Sequence, residues 1–148
     1  MMQIFVKSVF ILLLFVSVSA VAQQQQTFGD YEVHYSAFSS SMLTADVARA
    51  YGIQRSDSRA LVNITVLKRD SEGGTNAVKA RVSASGRNLT GQTREIDMRE
   101  INENNEAIYY IGELSVRNQE MFDFTVLATP EGMDKPLTLK FRQQFYSQ

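Results

Sequence analysis

A single histidine, His34, and the absence of cysteine leave this chain few ways to do chemistry. Without Cys there is no thiol nucleophile, no disulfide, no Cys-ligated zinc or iron–sulfur site and no lipid-modified N-terminal cysteine. His34 could serve as base to the Ser39-Ser40-Ser41 run, yet a triad also needs an orienting acid, and no Gly-x-Ser-x-Gly elbow accompanies these serines. A polar turn is the expectation for the serines. His34 shares a strand face with Asp30 and Glu32, which predicts a solvated side chain rather than a general base or a lone metal ligand.

Hard oxygen ligands occur in Asp70-Ser-Glu72 and in the series Glu100, Glu103 and Glu106, interleaved with Asn102, Asn104 and Asn105. Neither stretch matches the twelve-residue calcium loop, so both are expected to be solvated turns, and no metal or cofactor is assigned. A carboxylate-dependent hydrolase would need two acids at fixed separation with an apolar setting for the proton donor, which spacing alone does not supply. No catalytic residue is assigned. The stronger candidates are for binding: Tyr51, Arg55 and Arg59 fall within nine positions of one another, and Tyr with Arg is a frequent anchor pair in recognition loops. The plainer reading packs Tyr51 onto the core and pairs the arginines with Asp57 or other surface acids.

These residues must be held by strands, because the chain after residue 22 shows repeated two-residue alternation and one short helical patch. Seven strands are expected. Tyr31, Val33 and Tyr35 form the inner face of the first, preceded by the Gln23–Gln26 tract as a loose tail. Leu61 to Leu67 carries Val62, Ile64 and Val66 on one face and Leu61 and Leu67 on the other, the pattern of a central strand. Past the turn cluster Arg69 to Gly74, Val78 to Ala84 is expected to be its hairpin partner. Ile96 with Met98, Ala107 to Ile111, Phe122 to Ala128 and Leu137 to Phe145 supply the rest. Between the first two strands, Thr44 can N-cap a one- or two-turn helix, Asp46 suits its positive end, and Gly52 can close it. That helix is expected to cover one end of the molecule. Strand count and spacing predict an all-β fold, an immunoglobulin- or fibronectin-like antiparallel β-sandwich, with a small barrel as the alternative.

Lys7, the apolar run Val9 to Val18 and Ala20-Val21-Ala22 before Gln23 read as a signal peptide over residues 1–22, leaving 23–148 as one domain. The apolar core is about half the roughly 20 residues a membrane span requires, so no stable insertion is expected after cleavage. An exported domain without Cys fits a bacterial periplasm better than a eukaryotic secretory route. The patterns Asn63-Ile-Thr and Asn88-Leu-Thr match an N-glycosylation signal, but in a bacterium they are chance.

The 148 residues are 44% hydrophobic and 21% charged, the composition of an ordinary compact protein. Without the leader the net charge is −2, which gives no global attraction to nucleic acid. Charge is unevenly spread: residues 49–94 hold nine basic and three acidic groups, residues 95–134 two basic and ten acidic. If the strand of Lys79 and Arg81 neighbours that of Glu95 and Asp97, the two blocks neutralise each other locally.

Three stretches, Thr27-Phe-Gly-Asp-Tyr-Glu-Val-His-Tyr35, Val47-Ala-Arg-Ala-Tyr-Gly-Ile-Gln-Arg-Ser56 and Ala60-Leu-Val-Asn-Ile-Thr-Val-Leu-Lys68, resemble a family of exported gammaproteobacterial domains of unknown function. The resemblance spans the chain after the leader. It implies a periplasmic location and lends no catalytic residue. The function expected is a non-enzymatic binding or accessory module that contacts another envelope protein through an end loop or an open sheet edge. A small-ligand carrier is the alternative, and it would need an enclosed apolar cavity where short alternating strands predict a filled core.

Overall fold

The computed structural model describes residues 24–147, so the leader sequence lies outside the described residues. Among the described residues there are ten strands: β1 (Gln24–Phe28), β2 (Tyr31–Ser39), β3 (Arg59–Arg69), β4 (Thr75–Ala77), β5 (Ala80–Asn88), β6 (Thr93–Ile96), β7 (Arg99–Glu103), β8 (Ala107–Ser115), β9 (Met121–Pro130) and β10 (Leu137–Gln144). A 3-10 turn at Ser40–Met42 and a single helix, α1 (Ala45–Ala50), separate β2 from β3. The strands form two antiparallel sheets, one of six strands in the order β1-β2-β3-β8-β7 with β4 on β3, the other of four in the order β10-β9-β5-β6. They pack face to face as a sandwich.

Alternation places the core between the sheets. From the six-stranded sheet Val33, Val62, Ile64 and Val66 have no exposed surface, and Phe122, Phe124, Val126 and Leu139 meet them from the other. Phe124 is the aromatic hub, with its ring centroid 5.0 Å from Phe141, 5.8 Å from Phe122 and 6.1 Å from Phe145. β3, apolar on both faces, lies between β2 and β8 as its sequence predicted. The hydroxyl of the buried Tyr110 accepts from the Ala80 amide at 2.8 Å and donates to Glu100 at 3.2 Å, tying β8 to the start of β5.

Several sequence expectations are corrected. From Gln24 onward the glutamine tract is not a loose tail. It forms β1, paired with β2 from Gln24–Tyr35 to Phe28–Tyr31 through a two-residue turn, because ladder bonds come from the main chain and ask nothing of exposed Gln side chains. Nor is the strand after Gly74 the hairpin partner of β3. Only β4 pairs there, at Leu67–Ala77 to Arg69–Thr75, and the chain then crosses to the opposite sheet, where β5 pairs with β6 and β9. The strand read around Ile96 and Met98 is likewise two strands, β6 and β7, in different sheets. Their crossover lies so close to β8 that a Cβ on Gly112 would overlap Ile96 and Met98 and sit 3.0 Å from the Asp97 carbonyl oxygen, so only glycine fits.

The crossover also explains the charges. β6 is short and pairs only with Ala84–Arg87, leaving Lys79 and Arg81 beyond its reach. The basic and acidic blocks meet elsewhere, through Lys79–Glu100 at 4.0 Å and Arg59–Glu113 at 3.7 Å.

The helix forms as its sequence dictates. The Thr44 hydroxyl accepts from the Val47 amide at 3.3 Å, and Asp46 lies in the first turn. At the other end Gly52 (φ +66°) turns the chain, the Ile53 amide reaches the Ala48 carbonyl at 2.8 Å and the Gly52 amide reaches that of Arg49 at 3.3 Å, which is a Schellman closure. Its accompanying apolar contact is present, since Ala48 and Ile53 are both buried in one cluster with Leu61 and Ile111. Those last two belong to the outer face of the six-stranded sheet. The helix therefore covers that face rather than an end of the sandwich.

Candidate functional site

Tyr51, Arg55 and Arg59, the candidate binding residues, each bond a different partner. Tyr51, the helix C-cap, donates its hydroxyl to Glu103 at 2.6 Å, and its carbonyl receives the Arg99 guanidinium. Arg55 bonds the Ser41 carbonyl at 3.2 Å, while Arg59 lies beside Glu113 on β8. Each arginine tethers its own segment. The Glu103 carboxylate, by accepting that hydrogen bond, holds the Tyr51 phenol above the usual tyrosine range.

Ser40 is fully buried, and its hydroxyl is committed to the loop: it faces the carbonyls of Gln54 and Ser56, both at 3.0 Å, and accepts from the Ser56 amide at 2.9 Å. This fastens the turn after β2 to the segment leading into β3. His34, expected in water, is half-buried and bonded to Glu32 at 3.2 Å. Arg69 approaches the same carboxylate at 3.0 Å, and these two partners hold the Glu32 carboxyl below the usual range, the His34 bond first. Asp70 accepts from the amides of Glu72 and Gly74 at 2.9 and 2.8 Å, closing the turn predicted there. Asn88 is buried with both ends of its amide bonded, to Thr90, Gln92 and Glu120. Among the described residues no group of three His, Cys, Asp or Glu could hold a metal ion. No helix among them is long and apolar enough to cross a membrane.

Besides a concavity of about 490 Å³ bordered by Lys68, Lys79 and Glu131, two others are present among the described residues. The first, also about 490 Å³, opens where the end of β2 faces β10 and is lined by Ser36, Phe38, Phe141 and Phe145, with Met42 and Tyr146 exposed beside it. Among the described residues β1 pairs with β2 as far as Tyr35 on this side, and β10 is the outermost strand of its sheet. The second, about 240 Å³, lies under α1, between Leu43, Val47 and Tyr51 above and Phe38, Leu61, Ile101, Tyr109 and Ile111 of the outer sheet face below. Asn63 lines it, and its Oδ1 is buried without a hydrogen-bond partner.

Alternation does not reveal this second site, because it depends on β7, which carries Ile101 and Glu103 beside β8 but has the composition of a polar turn. One signal was present in the sequence: Leu61 and Leu67 give β3 a second apolar face that the inter-sheet core cannot use.

No curated protein matches the chain. Its fold is similar to that in the crystal structure of a DUF4426 family protein from Pseudomonas aeruginosa PAO1, with a TM-score of 0.72 and 29% identity over 85% of this chain and 96% of that one. Residues 25–148 match the model of the same family, whose description is a domain of unknown function. From β1 to the end of the sequence, helix and both sheets included, the chain belongs to the DUF4426 family.

Proposed function

We propose that this protein is a non-enzymatic binding module of the bacterial envelope, exported to the periplasm through its leader, that engages another envelope protein along the open side between β2 and β10. The observation that carries this reading is the 490 Å³ cleft on that side, where two strand edges adjoin apolar walls and the exposed side chains of Met42 and Tyr146. An extended partner segment can bond to such an edge through its main chain while alternate side chains enter the cleft.

The carboxylates favour this over a hydrolase. Glu32 and Asp123 both shift downward, beside His34 and Arg69 in one case and Arg142 in the other, whereas a proton donor needs its carboxyl raised. The reading includes no cofactor, no nucleic acid and no stable membrane insertion.

Photo-crosslinking residues placed singly at Met42, Tyr146 and Thr93 test it in living cells. Thr93, exposed on the opposite edge strand β6, is the control. A defined adduct of one mass from positions 42 and 146, absent from position 93, is the expected result. No adduct, or an equal yield from all three positions, overturns the proposal.

A further inference from the structure

We propose that the cavity beneath α1 is a binding site for a small, uncharged, largely apolar molecule with one hydrogen-bond donor, of the size and chemistry of phenol or indole. The site lies on the outer sheet face and shares only Phe38 with the β2–β10 cleft, so it stands or falls independently of the partner surface.

Size is the first argument. An enclosed apolar cavity of about 150 Å³ takes up benzene, so this pocket, open at its margin by Val47 and Glu103 and holding about 240 Å³, has room for one ring or two fused rings. The lining is the second. Phe38, Leu61, Ile101, Tyr109 and Ile111 make the floor and walls, and apolar contact with them excludes water from around a ring.

Polarity then narrows the class. Asn63 brings an amide oxygen to the sheet floor, and a buried amide oxygen without a partner is costly and rare in native proteins. The terminal amide torsion of Asn is broad, so the carboxamide can turn toward a guest at little cost. A ligand N–H or O–H then supplies the missing bond. The one charged lining residue is Glu103, whose carboxylate stands at the rim and accepts from Tyr51. It disfavours anions, which excludes carboxylates of the same size.

Access is built in. The cover is a six-residue helix whose Val47 is 39% exposed, held at its C-terminal end by the Tyr51–Glu103 bond and the Arg99 contact with the Tyr51 carbonyl. A cover this short can open without disturbing the inter-sheet core.

The test is titration of the protein with phenol, indole and benzoate, followed by amide chemical shifts. Phenol and indole should give saturable shifts confined to α1, residues 61–63 and residues 101–111, and benzoate should bind at least tenfold more weakly than phenol. Asn63→Leu should keep the melting temperature or raise it, while weakening indole at least tenfold. Ile101→Trp, which fills the cavity, should abolish the shifts. Should that variant misfold, Asn63→Leu decides alone. Absence of saturable shifts, shifts scattered over the surface, or unchanged indole affinity in Asn63→Leu overturns the proposal.

Discussion

The two faces of the six-stranded sheet are made by the same strands and finished differently. On the inner face β3 presents Val62, Ile64 and Val66, each with no exposed surface, against a full opposing sheet. On the outer face the same strand presents Leu61 and Asn63 to a six-residue helix, with a cavity and an unpaired amide oxygen between them. A sheet can be matched along its whole area by another sheet, whereas one short helix covers only a strip and leaves a gap at its margin. The inner face therefore determines stability, and the outer face is free to hold something.

The largest test of that contrast is in the inner layer. Phe124→Ala removes a ring packed against three other aromatics and should cost about 3–5 kcal/mol, and Ile64→Ala about 2–5. Since a domain holds only about 5–15 kcal/mol in all, either variant should melt many degrees lower by calorimetry or circular dichroism. Wild-type melting in both would mean that the inner face does not hold the fold.

Leu61→Ala sharpens the comparison. Leu61 is as buried as its neighbours, at 2% exposure, but part of its surroundings is already empty, so truncation forfeits fewer contacts. Its cost should fall at the low end of the range, about 2 kcal/mol, and below that of Ile64→Ala three positions along the same strand. Equal losses by denaturant titration would show the two faces to be equally well packed.

How far the sequence revealed this follows from the same contrast. Period-two alternation reports which side of a strand is apolar, and it located the inner core, the central place of β3 and, through Thr44, Asp46 and Gly52, the helix with both its caps. It does not report which strands are neighbours. The transfer of β5 to the other sheet, the splitting of the Ile96–Met98 strand and the pairing of β1 are set by contacts distant in sequence, and the cavity depends on all the elements that meet around Asn63. Tyr51 was legible as a residue of interest, but its partner Glu103 lies 52 positions away on a strand that looked like a turn.

Arg55 and Arg59 test whether the outer face contributes through charge. Both make contacts at the surface with a half-buried partner, the Ser41 carbonyl and the Glu113 carboxylate, and such contacts are worth about 0–1 kcal/mol. The double change to Ala should thus leave the melting temperature nearly unchanged. A loss comparable with Ile64→Ala would make the loop structural and remove the distinction between the faces.

The smallest effect is expected in the pH dependence, also on the outer face. Glu32 receives His34 and Arg69, and its carboxyl is held below the ordinary range, first by the His34 bond and then by Arg69. A carboxyl whose ionisation is depressed in the folded state adds stability above its unfolded pKa and loses it as pH falls through the lower, folded value. Stability should accordingly decline on the acid side of the ordinary carboxylate range, and Glu32→Gln should flatten that decline while shifting the neutral-pH melting temperature little. Asp123, lowered by Arg142 on the opposite sheet, remains in the variant and keeps part of the slope, so the expected change is a shallower acid limb rather than its disappearance. Thermal melts from pH 7 downward in wild type and variant measure this directly. Superimposable acid limbs would mean that the cluster on the outer face contributes nothing, and that the inner layer alone sets the stability of the fold.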